Sequence, residues 1–194
     1  MAAEIARGAE AIILKEKGKI IKDRIPKSYR HKEIDEKLRT SRTKREATIL
    51  GKLSDISPKL IKAGKTSLEI EYVDGHLLRD ILTPNPSLAK KIGEKTSIMH
   101  DKNIVHGDLT TSNIILDRNN EIKFIDFGLS SITYKTEDKA VDLHLFLEAI
   151  ESKHYPAKKD IWKSFLQGYN PSNKKEILER LEVVEKRGRN KQKY

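Results

Sequence analysis

The chain has 194 residues, 39 Lys plus Arg against 29 Asp plus Glu, a formal net charge of +10, 37% hydrophobic residues and no Cys. The missing cysteines exclude disulfides and thiolate zinc sites and fit a reducing cytoplasm, where the protein is expected. No apolar run approaches the roughly 18 residues of a membrane span. The first residues, MAAEIARGAE, carry an early acid and lack a signal peptide's apolar core. The positive charge points to an anionic partner larger than a nucleotide. It gathers in residues 15–45 and again in 186–194.

In chain order, residues 11–16 and 19–25 read as a hairpin turning at Gly18, with Lys22 placed after two isoleucines in the second strand. Ile5 and Gly8 precede it as candidates to cover a nucleotide. A single glycine there lets backbone approach phosphates, although no full G-x-G-x-x-G is present. A helix is expected from Thr40, where Glu46 shares the spacing of Ile49, Leu50 and Leu53. An acid on that inward stripe requires a cation, and Lys22 is the candidate. Residues 67–75 read as a strand running into a glycine turn. That suits a hinge at which Ile70, Glu71 and Val73 contact adenine.

Pro84 and Pro86 punctuate the chain before a helix over 87–102 with Leu88, Ile92, Ile98 and Met99 as its core face. After the loop at 106–113 comes a hairpin, Ile114-Ile115-Leu116 and Ile122 to Ile125, turning at 117–120. A helix beginning near Thr136 carries Asp142 within an apolar stretch, where it is expected to hold backbone amides of the preceding loop. Helical segments over 157–168 and 173–186 follow, with Glu176, Glu179, Glu182 and Glu185 as a solvated face. Residues 187–194 read as a basic, unstructured tail. The six histidines, at 31, 76, 100, 106, 144 and 154, show no paired metal-ligand spacing and read as surface or structural. His106 is the exception, expected to pack against the Asp126-Phe127-Gly128 turn as a brace and not to act as a base.

The pattern with most chemical content is His106-Gly107-Asp108-Leu109-Thr110-Thr111-Ser112-Asn113, followed thirteen residues after the Asn by Asp126-Phe127-Gly128. Phosphoryl transfer from ATP needs a carboxylate at the attacking hydroxyl, a second on Mg²⁺ and an amide oxygen to complete the metal shell. Asp108, Asp126 and Asn113 fill those roles in the order and spacing of a protein kinase, with ATP and Mg²⁺ as the implied cofactors. Only about eight residues separate Gly128 from the next helix, and no Ala-Pro-Glu follows. Gly107 stands where regulated kinases carry an Arg, and Thr110 where many carry a Lys. The short segment and Gly107 argue against switching by loop phosphorylation, and Thr110 against efficient peptide phosphorylation.

Together with Lys22-Asp23-Arg24-Ile25-Pro26-Lys27-Ser28-Tyr29-Arg30-His31, Arg42-Thr43-Lys44-Arg45-Glu46-Ala47, Glu137 to Leu143 and the closing Arg187-Gly188-Arg189, these motifs make the chain resemble a known family. It is the small atypical kinase subunit of the KEOPS complex in its archaeal free-standing form, a relative of the RIO kinases. The resemblance implies an α+β bilobal kinase fold, with a β-rich N-lobe over 1–74 and a reduced helical C-lobe over 75–186. Implied partners are a sugar-kinase-like threonylcarbamoyl-transferase, a small accessory subunit and, through the complex, tRNA modified at position 37. The implied activity is ATP hydrolysis and weak Ser/Thr phosphorylation, including autophosphorylation. The tail residues Arg187, Arg189, Lys191 and Lys193 are its candidate contacts to tRNA or partner. Alternatives are a tRNA-binding scaffold with secondary kinase activity and a small-molecule phosphotransferase.

Overall fold

The computed structural model describes the backbone of residues 3–8 and 10–191, and side chains as far as Arg187. The chain divides into two compact units. One comprises residues 1–74 with 125–129, the other 75–124 with 130–194.

The first unit is an antiparallel sheet ordered β1-β2-β3-β5-β4, built from β1 (Ala3–Arg7), β2 (Ala11–Glu16), β3 (Lys19–Arg24), β4 (Leu60–Ala63) and β5 (Ser67–Glu71). β2 and β3 are joined by the two-residue turn Lys17-Gly18, with φ of 42° and 77°. Positive φ at both positions matches the right-handed twist of the strands it joins, and glycine takes the second at no steric cost. Against the sheet lies α1 (Lys32–Lys52), which buries Glu46, Ile49 and Leu50. It starts eight residues before the expected Thr40. Its first turns are fastened by polar groups rather than by an apolar stripe. Asp35 is buried and accepts from Arg39 Nε at 2.7 Å and from the Lys27 backbone N–H at 3.3 Å. Hydrophobic spacing does not register such an anchor. Leu53, read as helical, is the residue that ends the helix.

The second unit contains β6 (Gly75–Leu77), α2 (Leu78–Ile81), α3 (Ala89–Asp101), β7 (Ile104–Val105), β8 (Ile114–Asp117), β9 (Ile122–Phe124), β10 (Ser131–Ile132), α4 (Thr136–Lys153), α5 (Lys158–Gly168) and α6 (Lys174–Lys191). The β8–β9 hairpin is formed as expected, and β6 adds to its other edge. The Asp117 carboxylate accepts the N–H groups of Asn119 and Glu121 and shapes the turn. Ile98, expected on the core face of α3, is 39% exposed, whereas Ile92 and Met99 are fully buried. The helix turns the 92/99 stripe inward and leaves 98 one step off it. α6 runs five residues past the expected end, so 187–191 continue a helix instead of forming a tail. Glu137 in the first turn of α4 binds Arg180, and also Arg187 at 2.8 Å. These two pairs pin α6 along its length.

α3 and α5 meet at reciprocal glycines. A Cβ on Gly93 would lie 2.2 Å from the Phe165 carbonyl oxygen, and one on Gly168 would lie 1.9 Å from that of Lys90. Backbone meets backbone there, so neither neighbour can yield. Gly51 in α1 has nothing within 4 Å of its would-be Cβ. Gly93→Ala should therefore destabilise by about 3 kcal/mol, the upper range for overpacking. Gly51→Ala should stabilise by about 0.5–1 kcal/mol through helix propensity alone. Urea unfolding of both variants tests the contrast, and equal shifts would contradict the close approach.

Candidate active site

In the first unit, Lys22 sits on the middle strand of the sheet, opposite Ile13 on β2 and Leu68 on β5. It is 7% exposed, and the alternating pleat turns it to the face that α1 covers. Its Nζ donates to Glu46 Oε1 at 2.8 Å and to Asp126 Oδ1 at 2.5 Å. The expected lysine–glutamate pair is present, and the same ammonium also holds the Asp of the DFG turn.

A second cation was not anticipated. Arg24, two residues on and so on the same face of β3, donates from Nη2 to Glu46 Oε2 at 2.5 Å. Arg24 is 4% exposed and Glu46 1%, so both Glu46 oxygens are neutralised in a site almost without water. The signal was available: period-two alternation pairs positions 22 and 24 as surely as helical spacing singles out Glu46. Arg24 also lies close to Gly128, whose would-be Cβ is 3.2 Å from its Nη2.

Asp126 adopts φ of 62°, a left-handed backbone that Asp tolerates better than most residues. Its side chain is half exposed. Partial burial opposes its ionisation. The Lys22 charge and hydrogen bond, the Gly128 N–H at 3.3 Å and Arg24 outweigh that, and hold the carboxyl below its ordinary value. The remaining candidates of this unit are more loosely placed. Ile5 is exposed on β1, and Gly8 closes a turn onto the Ala11 carbonyl. Ile70 is buried within the sheet between Ile20 and Leu60. The Glu71 N–H is committed to the Lys59 carbonyl, and Val73 is half-buried just beyond the strand.

In the second unit, Asn113 closes a short 3-10 turn over Thr111–Asn113. Its amide nitrogen donates to the Asp108 carbonyl at 2.9 Å and to Asp108 Oδ2 at 2.8 Å. The amide oxygen of Asn113 is thereby left to accept or to ligate, and Asp108 is fixed in one rotamer. Gly107 has φ of 77°, a conformation that strains any other residue, which accounts for glycine there. Asp142 on α4 accepts the backbone N–H of His106 at 2.5 Å and of Gly107 at 2.8 Å, the role expected for it. Behind Asp142 stands a chain absent from the sequence reading. His100 Nε2 lies 3.4 Å from Asp142 Oδ2, and its Nδ1 lies 2.8 Å from the Tyr169 hydroxyl. Burial, with Asp142 and Asp101 nearby, pushes the Tyr169 phenol well above its usual range, so it remains a hydrogen-bond donor. The His106 ring is tilted against Phe124, with centroids 6.1 Å apart.

Of the basic residues at the C-terminus, Arg187 is engaged by Glu137. Arg189 and Lys191 lie on the backbone of α6, and Lys193 lies outside the described residues.

The double neutralisation of Glu46 can be tested. Lys22→Met or Arg24→Met alone leaves Glu46 one cation, whereas the double variant leaves a buried carboxylate with none. The double variant should be less stable than the sum of the singles by about 1–3 kcal/mol in urea unfolding. Strict additivity would refute shared neutralisation. In Lys22→Met the Asp126 carboxyl should also titrate at higher pH than in the wild type, read by carboxyl-carbon NMR. The stability contributed by ionised Asp126 is present above its unfolded pKa, about 3.9. It is lost as pH falls through the lower folded value.

A model of the protein kinase domain matches residues 11–186. A protein of Methanocaldococcus jannaschii, named a probable bifunctional tRNA threonylcarbamoyladenosine biosynthesis protein, is 38% identical over 95% of this chain. The chain spans only 36% of the length of that relative. The Encephalitozoon cuniculi EKC/KEOPS complex subunit BUD32 is 39% identical over 96% of this chain and 95% of its own length. The KEOPS complex subunit Bud32 of Pyrococcus abyssi is 38% identical, over 88% and 83%. Among solved structures, the Rio2 kinase of Chaetomium thermophilum, in a complex with ADP, Mg²⁺ and phosphoaspartate, superposes with a TM-score of 0.64 at 15% identity. That match covers 98% of this chain and 71% of Rio2, and shows a shared fold. The lysine–glutamate pair, the HGD…N loop and the DFG turn thus lie on a kinase fold, and the chain belongs to the protein kinase family, in its Bud32 branch.

Proposed function

We propose that the chain binds Mg·ATP and transfers or hydrolyses its γ-phosphoryl group. It would act as an atypical Ser/Thr kinase and ATPase that supports threonylcarbamoyladenosine formation on tRNA within a KEOPS-type assembly. The observation that carries this reading is the buried Lys22, held to Glu46 at 2.8 Å and to Asp126 at 2.5 Å. That arrangement suits a phosphate-binding lysine kept beside a metal-binding carboxylate.

The donor set suits a hard cation, because Asp126 and Asn113 offer oxygen. Magnesium takes one or two such ligands together with substrate phosphates. Among the described residues no group of three or more His, Asp or Glu forms an all-protein metal cage. Bound magnesium would neutralise charge on the phosphates during transfer.

In this reading Lys22 would bind the phosphates, and Asp126 with Asn113 would hold the metal. Arg24 would keep a positive charge at Glu46 Oε2 throughout. Asp108, oriented by the Asn113 amide, accepts the proton of the attacking hydroxyl or water. The adenine is held by backbone groups of Glu71 and Val73 at the end of β5, with Ile70 supporting them from the sheet and Ile5 and Gly8 covering the nucleotide. A sugar-kinase-like transferase, a small accessory subunit and tRNA are the proposed partners. Arg187, Arg189, Lys191 and Lys193 are the residues proposed to meet tRNA.

The test is Mg-dependent ATP turnover by wild type, Asp108→Ala and Asp126→Ala, with and without tRNA and the partner subunits. Free phosphate and labelled protein are followed separately. Asp108→Ala should lose about 10²–10⁴-fold in turnover while still binding nucleotide. Free phosphate that rises with partners and tRNA supports an ATPase of tRNA modification, and label found only on protein supports a kinase. Turnover insensitive to both substitutions would overturn the assignment and leave a tRNA-binding scaffold.

A further inference from the structure

Asp142 holds the start of the catalytic loop, but the end of that loop is held by a group that the mechanism above does not use. His154 is the residue that ends α4, and it is 1% exposed. Its Nε2 lies 3.1 Å from the Thr111 hydroxyl and its Nδ1 lies 2.7 Å from the Thr83 hydroxyl. Thr111 is 2% exposed and opens the 3-10 turn that Asn113 closes. With so little access, water cannot take over the Thr111 contact, whereas Thr83 stands at the exposed end of the arrangement, so that each ring nitrogen has one hydroxyl.

Burial, with Lys153 adjacent, holds the imidazole below its ordinary pKa. The ring is therefore neutral, one nitrogen donating and the other accepting, and a threonine hydroxyl can complement either. The backbone fixes the ring's position as firmly. The His154 N–H closes α4 onto the Ile150 carbonyl at 2.9 Å, and its carbonyl receives the Ala157 N–H at 3.0 Å.

Both grips on the loop come from α4. Asp142 takes the backbone of His106 and Gly107, and His154 takes the side chain of Thr111. They are twelve residues apart on that helix, about 18 Å along its axis. Asp108 lies between the two gripped points in sequence. A loop fastened at one end can swing about it, whereas one fastened at both ends to a single rigid rod cannot.

We infer that His154 is a positioning residue for phosphoryl transfer: through Thr111 it fixes the catalytic loop that carries Asp108 and Asn113, with Thr83 fixing the imidazole in turn. The inference rests on the proposed function for its kinetic consequence, but not for its structural one.

The experiment compares wild type with His154→Leu, His154→Gln, Thr111→Val and the double variant His154→Leu/Thr111→Val. It measures steady-state ATP turnover, ADP binding by calorimetry, and hydrogen exchange over residues 106–113. His154→Leu should lower kcat by about 10- to 100-fold, the cost of a small misplacement of reacting groups, with ADP affinity unchanged. His154→Gln reaches Thr111 with its amide and should recover most of kcat. The double variant should fall no lower than the worse single, because both remove one contact. Exchange should quicken in 106–113 in His154→Leu while α3 and α4 stay protected. An unchanged kcat, a Gln variant no better than Leu, additive losses, or a fall in ADP affinity matching that in kcat would each overturn the assignment. If the wild-type chain shows no Mg-dependent turnover, the functional reading fails. Exchange then stands alone: unchanged protection of 106–113 in His154→Leu overturns the inference, and selective loss sustains His154 as the anchor of the loop.

Discussion

Everything in the first unit is arranged around one buried carboxylate. Glu46 is 1% exposed, and an ionised carboxylate that far from water costs several kcal/mol unless its charge is met at hydrogen-bonding distance. Two cations of β3 meet it, one at each oxygen. That requirement sets the register of β3 against α1. Lys22 and Arg24 must be on the same pleat face, and α1 must turn the Glu46 side of its surface toward them. Phe127, the fully buried middle residue of the DFG turn, packs in the same unit, so the turn shares the constraint. A one-residue slip of β3 would send both cations to the opposite face.

Having two cations has a functional consequence that one would not. In a lysine–glutamate pair alone, whatever the lysine gives to phosphate it withdraws from glutamate. With Arg24 bound independently to Oε2, the two demands separate, and Lys22 can change partners without orphaning Glu46. Helix α1 is then held inward by residues of its own unit. This fits the short stretch between Gly128 and α4 and the glycine at 107, neither of which provides for a phosphorylated loop to set the helix.

Much of this was legible in the sequence because the underlying physics is periodic or local. Alternation located β2 and β3, helical spacing put Glu46 on an inward stripe, and the 108/113/126 spacing named three candidate side chains. Asp142 was recognisable as an acid out of place among apolar residues. What escaped were groups whose partners are distant in the chain and polar. The start of α1 depends on Asp35 and its arginine and backbone partners, not on a hydrophobic stripe. α6 is carried to Lys191 past the point where its composition turns basic, aided by the hold of Glu137 on Arg180 and Arg187, more than forty residues away. The α3–α5 contact depends on Gly93 and Gly168, and their isolated letters carry no sign of the backbone each one faces.

The same distinction explains the histidines. Apart from His106 they looked alike as letters without metal spacing, and three of the six, His100, His106 and His154, are buried against the catalytic loop or the groups that hold it. His100 stands behind Asp142, His106 is part of the loop, and His154 meets Thr111. An imidazole suits the place of His154 for one reason: kept neutral by burial, it offers a donor and an acceptor on one rigid ring, and so joins the hydroxyls of Thr83 and Thr111 without bringing in a charge. A lysine or carboxylate at 154 would need a counter-ion, and an aliphatic residue there would take the ring partner from both hydroxyls. Histidine here is an architectural choice for keeping a polar loop still inside an apolar lobe. The proton transfer proposed above is assigned instead to Asp108, which is half-buried and held by the Asn113 amide.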